Sequence, residues 1–100
     1  MIRHIVLFKL SDRTPDGARA QAEALRGALE PLAASVPGVL SLRVSDDPKR
    51  VETHWDVALE TEHASWEDLD AYQVHPEHTR ALEVVNSVAA EKAVVDYETP

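Results

Sequence analysis

Cysteine is absent from the chain, which excludes a disulfide framework, a thiolate zinc site and a cysteine nucleophile. Glycine is scarce, with three residues, and none sits in a P-loop, a dinucleotide fingerprint or a Gly-x-Ser-x-Gly elbow. No apolar run approaches the ~20 residues of a membrane span. The apolar start, "MIRHIVLFKL", is broken by charge and carries no cleavage signature, so a cytoplasmic protein is expected. Positive charge is also sparse: ten Lys and Arg face 18 Asp and Glu, for a formal net charge of −8. The acids are spread along the chain, and the nearest basic patch, Asp47 to Arg50, is two charges wide. Such a surface repels phosphate backbones and anionic membranes, which argues against nucleic acid or membrane as a partner. No internal repeat or low-complexity linker divides the 100 residues, so a single domain over 1–100 is expected.

What the chain does contain is alternation and helical stripes. Ile2 to Leu10 reads as a strand with apolar residues in the middle of both its faces. Thr14 is placed to cap a helix that begins at Pro15 and buries Ala22, Leu25, Leu29 and Leu32, ending in "SVPGV". Val39 to Val44 reads as a second strand and Asp46 to Glu52 as a polar loop. His54 to Glu62 reads as a third strand, in which Asp56 and Glu60 share the face opposite Trp55, Val57 and Leu59 and read equally as solvated or dimer-rim charges and as paired catalytic carboxylates. Ser65 and Asp68 form a capping signature for a second helix that turns Trp66, Leu69 and Tyr72 inward. Pro76 restarts that helix after a bend, and Ala93 to Glu98 closes the chain as a strand.

The order β-α-β-β-α-β predicts an α+β, ferredoxin-like protomer, an antiparallel four-stranded sheet with helices on one face. The other face keeps Ile5 and Leu7, with Ala93, Val95 and Tyr97, in need of cover. A second copy packed sheet to sheet satisfies it, so a homodimer through the open sheet face is expected.

One stretch bears on chemistry: "AYQVHPEHTRAL", Ala71 to Leu82. From Pro76 onward, His78, Leu82, Val85 and Ala89 recur on one stripe facing the sheet, while Tyr72 ends the preceding helical piece. The bend brings the phenol and imidazole together, and His4, in the strand set with Val6 and Phe8, approaches the same layer. An imidazole near its ordinary pKa of ~6.5 is a natural general base, and a phenol can donate to a developing enolate or orient the histidine. Proton abstraction α to a carbonyl needs neither metal nor organic cofactor, and none is expected. The same spacing also suits core-edge residues with a purely structural role. His75 and His78 have a metal-like spacing, but Pro76 sends their rings apart, so no metal site is expected.

"IRHIVLFKL", "AYQVHPEH" and "VVDYE" together resemble the stress-responsive dimeric α+β barrel (Dabb) family over essentially the whole chain. The resemblance implies a ferredoxin-like protomer whose dimer closes two sheets into a barrel. It also implies, from a plant polyketide cyclase of that family, cofactor-free aldol closure with His78 as base, Tyr72 as its partner and His4 lining the pocket. The implied pocket lies between sheet and helices, with Val6, Phe8, Leu25, Leu59, Leu82 and Val94 around a small hydrophobic or polyketide-like ligand. That cyclase has aromatic residues where this chain reads "AQAEALRGAL" and "VNSVAAEK", so a pocket of different shape is implied. Three readings follow: a cyclase or isomerase, a non-catalytic stress-responsive or ligand-binding dimer, and a cofactor-free monooxygenase. A pocket of roughly 300 Å³ or more that reaches both Tyr72 and His78 would favour an enzyme.

Overall fold

The structure, a computed structural model, describes all residues from Met1 to Pro100. Its elements are β1 (Ile2–Leu10), α1 (Pro15–Leu29), α2 (Leu32–Ser35), β2 (Ser41–Asp46), β3 (Val57–His63), α3 (Trp66–Val74), α4 (Pro76–Val88) and β4 (Ala89–Glu98). The strands form one antiparallel sheet in the order β2-β3-β1-β4. This is the expected ferredoxin-like architecture.

Strand parity divides the sheet into two faces. Ile2, His4, Val6, Phe8 and Leu10 of β1 are buried, as are Val57, Leu59, Thr61 and His63 of β3. The helices cover this face with Leu25 and Leu29 of α1, Leu69 and Tyr72 of α3, and Ala81, Val85 and Val88 of α4. Each large apolar side chain withdrawn from water here contributes about 1.5–3 kcal/mol before entropy is counted. On the opposite face, register aligns Arg43, Glu60, Ile5 and Val95 in one row and Ser45, Ala58, Leu7 and Ala93 in the next. No helix covers those rows, and Val95 is 54% exposed and Tyr97 41%.

Several boundaries differ from the sequence expectation. The first helix ends at Leu29, and Leu32–Ser35 forms a separate turn after Pro31. The second strand starts at Ser41 because the chain first turns at Gly38, whose φ of +85° is a left-handed conformation that glycine adopts without strain. The third strand starts at Val57, because residues 47–56 fold back around Asp56. That carboxylate is buried: it accepts from the Leu10 N–H at 2.8 Å, Lys49 at 2.9 Å and Arg13 at 3.2 Å. Burial opposes its charge, yet these donors outweigh the burial and hold the carboxyl below the usual range. It is a loop clamp, neither a solvated rim charge nor half of a carboxylate pair, the two alternatives its sequence position offered. Trp66 faces outward, 43% exposed, and donates to Glu98 at 3.0 Å. β4 begins at Ala89, four residues earlier than expected.

Candidate functional site

The site is built where α3 hands over to α4. Ser65 caps α3 by accepting from the Asp68 N–H, and the helix runs until the residue before Pro76 must leave the helical region. His75 does so, at φ −64° and ψ 140°, and its N–H closes the last turn on the Tyr72 carbonyl. Its ring then caps the next helix: Nδ1 accepts from the Glu77 N–H at 3.1 Å. With His75 engaged in capping, Tyr72 stands in the last turn of α3 and His78 in the first of α4. No group of three or more His, Asp or Glu side chains is arranged to hold a metal ion.

Tyr72 is fully buried and meets three imidazoles. Its ring centroid lies 4.7 Å from His78, edge-on, 5.2 Å from His63 and 6.2 Å from His4. Two of the three histidines are held by the protein. His4, on β1, donates Nδ1–H to Asp96 of β4 at 2.5 Å, and the register places those two residues directly opposite. His63, on β3, donates Nδ1–H to the Gly38 carbonyl at 2.9 Å, which leaves Nε2 to accept from the Thr61 hydroxyl at 2.9 Å. That pair of bonds specifies one neutral tautomer.

The third histidine is different. His78 Nδ1 and the Tyr72 hydroxyl are both buried without a hydrogen-bond partner in the chain. Burial lowers the His78 pKa and the facing His4 lowers it further, in part offset by the backbone carbonyl of Gln73. His63 is lowered for the same two reasons, in part offset by its bond to Gly38. Burial pushes the Tyr72 phenol up to about 12. Near pH 7 the site therefore presents an uncharged imidazole able to take a proton, beside an uncharged phenol able to donate a hydrogen bond.

A cavity of about 150 Å³ opens beside this cluster. Of the residues expected around a ligand, His4, Val6, Phe8, His78, Leu59, Leu82 and Val94 line it. Leu25 does not: it is fully buried in the core beneath α1 and has no surface left to offer. Tyr72 also lies behind the wall and not in it, reaching the cavity through His78 and His4. The remaining wall is Leu29, Gln73, Val85 and Lys92. The volume is half of what the enzyme readings called for, and close to that of a cavity that holds one benzene. It has no room for an extended polyketide chain. Four larger depressions lie away from the imidazoles of the cluster, two of them of about 220 and 270 Å³ and two more than twice that size. Of the two largest, one, about 590 Å³, is on the open sheet face beside Leu7 and Trp55; the other, about 600 Å³, is ringed by the ion pairs of Asp56.

Asp96 and His63 were not singled out from the sequence. Asp96 was available through parity, since it falls two residues from Val94 on the last strand. His63 lay one residue beyond the expected end of the third strand.

Comparison with known proteins agrees with this architecture. A family model described as the stress responsive A/B barrel domain matches residues 2–99. The stress-response A/B barrel domain-containing protein DABB1 of Arabidopsis thaliana is 28% identical over 105 residues. That match covers 97% of this chain but 46% of the plant protein, so the chain spans about half its length. A dimeric protein of unknown function with a ferredoxin-like fold from Bacteroides fragilis superposes with a TM-score of 0.86 at 32% identity, covering 98% of this chain and 95% of its own. Hydroxynitrile lyase from Passiflora edulis shares the fold at TM-score 0.80 and 16% identity, over 99% of this chain and 93% of the lyase. An antibiotic biosynthesis monooxygenase shares it at 0.75 and 17%, over 100% and 99%. At such identities the likeness is one of fold alone.

Proposed function

The chain belongs to the stress responsive A/B barrel domain family, and on that premise we propose that it is a homodimeric, cofactor-independent enzyme that moves a proton α to a carbonyl, of aldol-cyclase or isomerase type. The observation that carries this reading is the buried Tyr72 hydroxyl and His78 Nδ1, neither hydrogen-bonded within the chain, with His78 in the wall of an apolar cavity and Tyr72 packed behind it. A buried polar group left unpaired costs about 1–3 kcal/mol, so a purely structural pair would be expected to bond to something.

In the proposed reaction, His78 takes a proton from the carbon α to a substrate carbonyl, leaving an enolate and an imidazolium. Tyr72, neutral at this pH, packs edge-on against His78 from behind the wall, and its hydroxyl oxygen is the group that accepts from the imidazolium N–H as the charge develops. In a cyclase the enolate carbon attacks a second carbonyl of the same molecule, and the imidazolium returns its proton to the new alkoxide. In an isomerase the proton returns to a different carbon. Either sequence balances without an added oxidant or reductant. His4, tied to Asp96, forms the adjoining wall. The cavity volume restricts the reacting part of the substrate to about six heavy atoms.

The dimer is supported by the uncovered rows of Ile5, Leu7, Val95 and Tyr97, and by the dimeric description of the Bacteroides relative. The test of the chemistry is deuterium exchange at the α carbons of small ketones in D₂O, followed by NMR. Wild-type protein should accelerate exchange, and His78→Ala should abolish the acceleration while remaining folded and dimeric. If His78→Ala unfolds the protein or splits the dimer, His78 is structural.

The smallness of the cavity favours one competing reading, a non-catalytic dimer that binds a small ligand. Binding to His78 without exchange would establish it. An oxygen requirement for turnover would instead point to monooxygenase chemistry, for which only the shared fold speaks.

A further inference from the structure

We infer that the cavity selects a small carbonyl compound that carries a carboxylate, with Lys92 as the residue that binds the carboxylate; the inference rests on the site proposed above.

The chain has nearly twice as many acids as bases, yet no carboxylate lines this cavity. Lys92 is the one Lys, Arg, Asp or Glu in its wall. Most other lysines and arginines sit against a carboxylate, including Arg3, Lys9, Arg13 and Lys49. Lys92 has none within 4 Å, and its Nζ makes a single long contact, 3.4 Å to the Asn86 side-chain oxygen. The nearest acid on the same strand face is Asp96, four residues on, and that carboxylate is taken by His4.

The placement also suits an orienting role. Register sets Lys92 opposite Phe8 and Val94 opposite Val6, so the lysine stands next to two apolar wall residues. Of the wall residues, Gln73, Lys92 and Val94 are exposed, so the cavity opens between the end of α3 and β4, where Lys92 stands. A ligand with its apolar carbonyl portion toward His78 and its carboxylate at the mouth therefore meets opposite charge at one end and a base at the other. A neutral ligand of the same size fills the same space without that anchor.

The test uses 4-oxopentanoate and its neutral isostere 4-oxopentanamide, titrated into the full chain at low salt while the His78 ring signals are followed by NMR. Both should perturb His78, and the carboxylate should bind about fivefold more tightly, the ratio that corresponds to a half-exposed ion pair near ~1 kcal/mol. Lys92→Met should bring the two within twofold, and Lys92→Glu should reverse the order. Added salt should shrink the wild-type preference. Equal binding of the two ligands to wild type, or a preference that survives Lys92→Met, overturns the role of Lys92 and leaves the proposed site standing. If neither ligand perturbs His78, the site itself fails and this inference falls with it.

Discussion

The unpaired hydroxyl of Tyr72 allows stability and function to be separated by removing one atom. In Tyr72→Phe the ring keeps its contacts with His78, His63 and His4, and the void left is that of a single oxygen. A buried tyrosine whose hydroxyl is bonded loses stability when the hydroxyl is deleted, because the hydrogen bond goes and its partner is stranded. Here no protein partner exists. Deletion instead removes a desolvated polar group that costs about 1–3 kcal/mol to bury unpaired. The variant should accordingly match the wild type or exceed it by about 1 kcal/mol, a rise in Tm of about 4–8 °C for a domain of this size. Thermal or urea unfolding at a fixed protein concentration measures it, since a dimer's apparent stability moves with concentration. The α-proton exchange rate should fall about tenfold or more over the same substitution, since the phenol no longer supports the base. A variant more stable yet slower is the signature of a site maintained against the preference of the fold. A loss of more than about 1 kcal/mol would refute the reasoning, because it would mean that the hydroxyl is bonded and structural.

Three further outcomes are expected. Leu7→Lys places a charge in the middle of the uncovered sheet face and should yield monomer or aggregate by light scattering; an unchanged dimer would put the interface elsewhere. Asp56→Ala strands the Leu10 N–H and frees Arg13 and Lys49, both partly exposed, so the loss in urea unfolding should be about 2 kcal/mol. A change below about 0.5 kcal/mol would mean that the 47–56 loop holds itself without the carboxylate. His63 and His78 have folded pKa values lowered from the unfolded value near ~6.5, so the folded state binds fewer protons than the unfolded one. Their contribution is fully present above that value and lost as pH falls through the folded pKa values. Stability should therefore decline from pH ~6.5 downward, and less steeply in His78→Gln; a rise on acidification over that window would contradict the burial of both rings.

The legibility of this protein follows from which interactions decide each segment. β1 could be read because a period of two states which residues share a face, and that alone assigned His4, Val6 and Phe8 to the helix side. The α3–α4 junction could be read because Pro76 imposes a local constraint on His75 that no distant contact needs to supply. The start of β4 could not. Ala89 to Lys92 is good helix-forming sequence and continues the α4 stripe, yet those residues pair with Leu10, Lys9 and Phe8. A whole ladder against β1 outweighs a propensity of a few tenths of a kcal/mol per residue. That misplacement had a chemical consequence, because it left Lys92 outside the last strand and so outside any view of the cavity. Asp56 was lost in a similar way: alternation put it on an exposed face, while the loop it clamps closes through residues 46 and 43 positions away, Leu10 and Arg13. The cavity's size lay beyond sequence reasoning altogether, since Leu25 and Leu82 share helical stripes of the same kind and only packing decides that one is sealed in the core while the other faces open space. Periodicity assigns a side chain to a layer; whether the layer closes over it depends on volumes contributed by every neighbour. His78 and Tyr72 were therefore visible as letters, whereas the carboxylate that holds His4 and the lysine in the cavity wall became visible only once strand register was known.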